Sequence, residues 1–216
     1  MLQIDNLTVA REGAILLQGI NFMLPQGGKA VIIGPSGSGK SSLLAVINGT
    51  LAPFKGGVIC SDIEVKPENL PGLRQILAVI EQEPVLAADK VEDALLLPFS
   101  FRLNSQLPKP GREELESVLT EFDLPIHILE QACSELSGGE KQRIAVARIK
   151  LLKRQIILAD EATSALDDRS CEEVLNYLLT PKLTVLAVSH DPRLIARFPL
   201  IFEVKNHAIR PCGGRL

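Results

Sequence analysis

The 216 residues carry 23 basic and 26 acidic side chains and are 46% hydrophobic, enough apolar material for a sizeable core. The net charge of -3, without long single-sign runs, argues against a nucleic-acid partner. No apolar run approaches the roughly 18 to 20 residues of a membrane helix, and the four cysteines are too widely spaced for a zinc site or disulfide framework, so they read as ordinary cytosolic thiols.

Met1 to Ala10, "MLQIDNLTVA", alternates apolar and polar residues like a strand and lacks the basic and apolar blocks of a signal peptide, so export is not expected. The apolar run "KAVIIG" follows and leads into "GPSGSGKSS", Gly34 to Ser42, and an apolar helix. This is G-x-x-x-x-G-K-[ST] in a strand-loop-helix context. Gly34, Pro35, Ser36, Gly37, Ser38 and Gly39 let backbone N–H groups close around phosphate oxygens. Lys40 can reach the β- and γ-phosphates, and the Ser41 hydroxyl, with Ser42 beside it, can bind Mg²⁺. The loop alone does not separate a nucleotide kinase from an NTPase.

A second apolar run, "QILAVIEQ", ends at Gln82. From there the strand signals vanish, and "KVEDALLL", "REELESVLTEF" and "EKQRIAVARIKLLK" have helical spacing around the proline-bearing "QLPKPG". The expectation is one domain whose sheet core spans 1–82 and 153–216, with a helical insertion over 83–152. Its last helix opens at "LSGGEKQR", Leu136 to Arg143, where glycines precede a helix start and so suit an anion.

The runs "QIILADE", "LTVLAVSH" and "LIFEV" complete the signature of a mostly parallel, helix-covered sheet, an α/β fold. Asp160 and Glu161 end one such strand, at the sheet edge where ligands bind in this fold class. Asp160 suits holding Mg²⁺ through water and Glu161 suits activating a water against the γ-phosphate; the alternative is that they cap the next helix. His190 ends another strand and could bond the γ-phosphate, and Gln82 could sense it; each alone also fits an ordinary structural or solvated role. His127 reads as structural.

Together these motifs resemble the ATP-binding subunits of ABC transporters. "GPSGSGKS" resembles their Walker A loop, "LSGGEKQR" their signature motif, "IILADE" their Walker B strand and "SALD", ending in Asp167, their D-loop. Gln82 and His190 match the Q-loop and switch histidine. The resemblance implies a P-loop NTPase (RecA-like) fold with an antiparallel β portion and a helical signature subdomain. It implies ATP and Mg²⁺ as cofactors, with Lys40, Glu161 and His190 catalytic, Ser41, Gln82 and Asp160 on the metal, and Ser42, Gln82 and Asp167 near the nucleotide. It also implies head-to-tail pairing of two copies, in which Ser137, Gly138 and Gly139 complete the phosphate site of the other chain.

Two departures stand out. The family's adenine-stacking aromatic near residue 11 is missing, which leaves Arg11 to stack its guanidinium plane on the base, and Ala162 replaces a frequent proline. "FDLPIHILEQACSELSGGEKQRI", "LLLPFSFRL" and "DEATSALDD" further resemble small bacterial ATPase subunits paired with iron-export permeases, which have plant relatives linked to aluminium tolerance. That resemblance implies an integral-membrane permease as partner and a peripheral position on the cytoplasmic face of the inner membrane. Leu95 to Phe101 would form part of the dock with Gln82, or else belong to the helical core. The rival readings are a soluble ABC-type ATPase, an ATP-dependent regulatory subunit and a phosphotransferase.

Overall fold

A computed structural model describes residues 1–214. The chain opens with β1 (Leu2–Arg11), β2 (Ala14–Leu24) and β3 (Lys29–Ile33), followed by α1 (Lys40–Ile47), β4 (Lys55–Cys60) and β5 (Ile63–Glu64). Next come α2 (Leu70–Ile76), β6 (Leu77–Ile80), α3 (Val91–Leu96), α4 (Arg112–Glu121) and α5 (Gly138–Leu151). It closes with β7 (Ile156–Asp160), α6 (Asp168–Leu178), β8 (Thr184–Val188), α7 (Pro192–Arg197), β9 (Leu200–Lys205) and β10 (Ala208–Gly214).

Six strands form one sheet in the order β10-β9-β3-β8-β7-β6, parallel except for β10 at one edge. The near-continuous apolar composition of β3, β7 and β8 follows from burial on both faces. Alternation sorts their side chains. Ile156 and Leu158 of β7 join β1, β2 and α1 in one apolar cluster. Ile157 and Ala159 of the same strand join α3, α4, α5 and α6 in another. Truncating Ile157 or Leu158, both fully buried, to Ala would cost roughly 2–5 kcal/mol. The first cluster is closed by a second sheet, the antiparallel β2-β1-β4-β5.

No named strand lies between β6 and β7, and Lys90 and Ala132 form an isolated bridge there. The helix expected over 90–97 stops at Leu96 and continues as a 3-10 turn, Leu97–Ser100, because Pro98 cannot extend the α-helical ladder. The strand expected from Gln75 begins at Leu77 instead, since Gln75 and Ile76 end α2.

Parallel pairing delivers the carboxyl ends of several strands to one edge. Val188 stands opposite both Ile32 and Asp160, and Ile80 opposite Ala159, so the loops after β3, β6, β7 and β8 emerge together. In open α/β sheets this edge is where ligands bind.

Candidate active site

The loop after β3 turns through left-handed backbone at Gly37 (φ +75°) and Gly39 (φ +94°). Glycine is required at Gly39 twice over, because a Cβ there would lie 2.8 Å from the Leu16 Cβ. Gly39 is also the N-cap of α1, which has no side-chain cap and no acidic residue in its first turn. The positive helix end therefore meets no counter-charge of its own. Lys40 Nζ donates to the carbonyls of Gly34 at 2.7 Å and Pro35 at 2.8 Å, inside the same loop. Burial lowers its ammonium pKa, while the nearby Glu161 and Asp160 carboxylates oppose the shift.

Beyond Asp160 the chain reverses at Glu161, a non-glycine residue at φ +49°. Its N–H donates to the Val188 carbonyl at 2.9 Å, stitching the turn to β8. Its Oε2 accepts from the His190 backbone N–H at 3.2 Å and the Ser189 hydroxyl at 3.4 Å, and His190 Nε2 lies 3.8 Å from Oε1. Neither carboxylate caps the next helix. That role falls to Asp167, which accepts from Ser170 N–H at 2.9 Å and from the Ser170 hydroxyl at 2.8 Å. These bonds hold the Asp167 carboxyl below its usual range.

One cavity of about 710 Å³ gathers most of the expected residues. Ser36, Gly37, Gly39, Lys40, Ser41 and Ser42 line it from the loop and α1; Asp160, Glu161 and His190 line it from β7 and β8; Gln82 joins them from β6. Arg11 and Glu12 reach it from the β1–β2 turn, together with Leu16. Glu12 had no motif to mark it in the sequence. Pro35 and Ser38 line a different cavity of about 470 Å³ beside the β9–β10 turn, while Gly34 packs against Val204.

Ser137, Gly138, Gly139 and Asp167 do not line the 710 Å³ cavity. Ser137 caps α5 in a reciprocal box: its hydroxyl accepts from Glu140 N–H at 3.3 Å, while its own N–H and hydroxyl donate to Glu140 Oε2 at 2.8 and 2.7 Å. Those donors pull the Glu140 carboxyl pKa down. A Cβ on Gly139 would meet the Ala165 carbonyl at 3.4 Å, so this loop packs against the "SALD" turn of its own chain.

Ser41, Gln82 and Asp160 present oxygens to one cavity, a donor set that fits a hard divalent cation. Among the described residues no group of three or more His, Cys, Asp or Glu could hold a metal alone, so phosphate and water oxygens would fill the remaining positions. His127 is exposed on the turn Ile126–Glu130, away from the cavity. All four cysteines are free; Cys60, Cys133 and Cys171 are buried, and burial pushes the Cys60 thiol up to about 12. Among the described residues no helix is long and apolar enough to cross a membrane.

Two sets of polar residues lacked a signal in the sequence. Buried Gln142 donates to the Glu81 carbonyl at 3.1 Å and Arg148 to the Val85 carbonyl at 3.4 Å, tying α5 to the segment around Gln82. Asp191 and Arg193, at the start of α7, bond to the loop after Glu161.

The family model described as "ABC transporter" matches residues 17–164. The relative "Probable iron export ATP-binding protein FetA" of Escherichia coli is 34% identical over 212 residues, covering 96% of this chain and 92% of its own. "ABC transporter B family member 18" of Arabidopsis thaliana is 29% identical over 98% of this chain, which spans only 18% of that larger protein. In three dimensions the dimeric post-hydrolysis structure of the ATP-binding cassette MJ0796 with ADP and Pi superposes with a TM-score of 0.87, at 26% identity and full coverage of both chains. The chain belongs to the ABC transporter family, as an ATP-binding subunit with ATPase activity.

Proposed function

We propose that two copies of this chain close head to tail around two Mg-ATP and couple hydrolysis to movement of a substrate through a separate integral-membrane permease. The observation that carries this reading is the single cavity shared by Lys40, Ser41, Gln82, Asp160, Glu161 and His190. Lys40 and the first turn of α1 neutralise the β- and γ-phosphates. Ser41, Asp160 and Gln82 hold Mg²⁺, which when bound spreads the charge of the transferring phosphoryl group. Glu161, fixed by Ser189 and the His190 N–H, takes the proton of the attacking water. The His190 ring contacts the γ-phosphate, and Arg11 stacks on the base.

The 83–152 segment acts as the signature subdomain. Its Ser137, Gly138 and Gly139 meet the γ-phosphate of the other chain's ATP, with Asp167 in the adjoining turn. A γ-phosphate shared between chains makes closure depend on it, so hydrolysis reopens the dimer. The dimeric MJ0796 structure supports the pairing of two copies. For the permease dock, Val85 and Phe101 are exposed apolar side chains, 69% and 54% accessible, on segments following Gln82 and α3. The 34% identity to the FetA relative supports metal export with iron as the cargo, and the subunit acts at the cytoplasmic face of the membrane, on its permease.

Glu161→Gln is expected to retain ATP binding while turnover falls roughly 10²-fold or more. Turnover of the unaltered protein should rise faster than linearly with dilute protein concentration; strict linearity would mean complete sites in one chain. Affinity purification from gently solubilised native membranes should recover a stoichiometric polytopic protein, and recovery of soluble partners alone would refute the permease.

A further inference from the structure

We infer that Arg193 is a positioning residue for hydrolysis: its guanidinium fastens the loop after Glu161 to the loop bearing His190 and thereby sets the carboxylate and imidazole against each other. The inference rests on the proposed role of Glu161.

Arg193 sits in the first turn of α7, and its fork reaches two loops. Nε donates to Asp191 Oδ1 at 3.0 Å, and Nη2 donates to Asp191 Oδ2 at 2.8 Å. Nη2 also reaches the main-chain carbonyls of Leu166 at 3.1 Å and Thr163 at 3.3 Å, and Nη1 donates to Asp168 Oδ1 at 2.8 Å. All three guanidinium nitrogens are engaged, in a planar geometry that a lysine ammonium cannot reproduce.

The bonds form a ring. Buried Thr163 donates its hydroxyl to Asp191 Oδ2 at 2.7 Å. Asp191 N–H donates to the Ser189 hydroxyl at 3.0 Å, and that hydroxyl donates to Glu161 Oε2 at 3.4 Å. Thr163 is two residues along the chain from Glu161, and Asp191 directly follows His190. A shift of Arg193 is therefore passed to both ends of the Glu161–His190 pair. Since near-attack geometry tolerates little displacement, such a shift should lower turnover before it lowers ATP affinity.

The same fork reaches the turn that packs against the signature loop. The Leu166 carbonyl bound by Nη2 belongs to the turn whose Ala165 carbonyl packs on Gly139. A helix anchor alone would explain the bonds to Asp191 and Asp168. It gives no reason for two bonds to carbonyls of a different loop.

The test uses the purified full chain with Arg193→Gln, Arg193→Lys and, from the same helix as Arg193, the control Arg197→Gln, which removes an exposed pair with Glu172 of α6. Nucleotide affinity and single-turnover hydrolysis are measured for each, alone and combined with Glu161→Gln. Both Arg193 variants should bind ATP within about twofold of the unaltered chain and lose roughly tenfold or more in hydrolysis rate, with the control unchanged. On the Glu161→Gln background they should cause no further loss, because the group they position is gone.

Equal losses on both backgrounds, or affinity falling in step with rate, would overturn the inference and leave a structural anchor. Unaltered turnover in Glu161→Gln alone would remove the role of Glu161 and the inference with it. If Arg193→Gln does not fold, Arg193→Lys keeps the charge while losing the fork and decides the matter.

Discussion

α1, which follows Gly39, and α5, whose first residues are Gly138 and Gly139, have first turns that are electrostatic opposites. α1 starts at Gly39 with no side-chain cap and no acid in its first turn, and Lys40 is folded against the loop. α5 starts at Ser137 with a reciprocal cap in which Glu140 already accepts two bonds from Ser137. The first is open to an anion within a single chain, as its proposed role requires. The second carries its own anion, so it can attract a phosphate only when that phosphate arrives with its own counter-charges. A glycine-helix junction in sequence is therefore an incomplete statement: the residue three positions after the N-cap decides whether the site is open or already satisfied.

The largest expected effect comes from the open loop. Lys40→Ala should weaken equilibrium ATP binding about 10²-fold or more, since it removes a buried cation that stands near two carboxylates and, in the proposed site, neutralises the phosphates. Binding within twofold of the unaltered chain would collapse the contrast.

Next is the turn that supports the second loop. Asp191 is held down to about 2, chiefly by the bonds from Arg193 and further by Thr163, with the Cys171 thiol also beside it. A depressed folded pKa contributes stability that is complete above the unfolded value near 4 and is lost as pH falls toward 2. Asp191→Asn should therefore cost about 2 kcal/mol in urea unfolding at pH 7. The gap between variant and unaltered chain should narrow only below about pH 4. A gap that stayed constant down to pH 2.5 would show that the charge is not responsible.

Ser137→Ala should leave ATP binding to the isolated chain untouched, reduce stability by about 1 kcal/mol through the lost cap, and lower turnover several-fold. An equal drop in single-chain ATP affinity would place the second loop in the first site. The smallest effect belongs to Glu140→Gln, which keeps the cap and removes the charge. ATP-dependent self-association, followed by light scattering, should strengthen by about two- to fivefold.

The apolar runs of β3, β7 and β8 were legible because double-sided burial leaves no polar interruption, and the open loop was legible because its chemistry is contiguous. Three kinds of feature were not. The end of α2 at Ile76 was hidden because Gln75 and Ile76 suit a strand as well as a helix. That Asp160 and Glu161 do not cap the next helix needed the observation that Asp167 does. The Arg193 clamp and the Gln142 bond could not be read at all, since their acceptors are main-chain carbonyls 27, 30 and 61 residues away, which every residue possesses.

The left-handed backbone at Glu161 has a further consequence. A glycine there would relax the turn, whereas a side chain holds it at a cost of about 1 kcal/mol. In the proposed mechanism position 161 sets two demands against each other: glycine would relieve the backbone but forfeit the bonds from the Ser189 hydroxyl and the His190 N–H, together with the carboxylate that takes the proton of water.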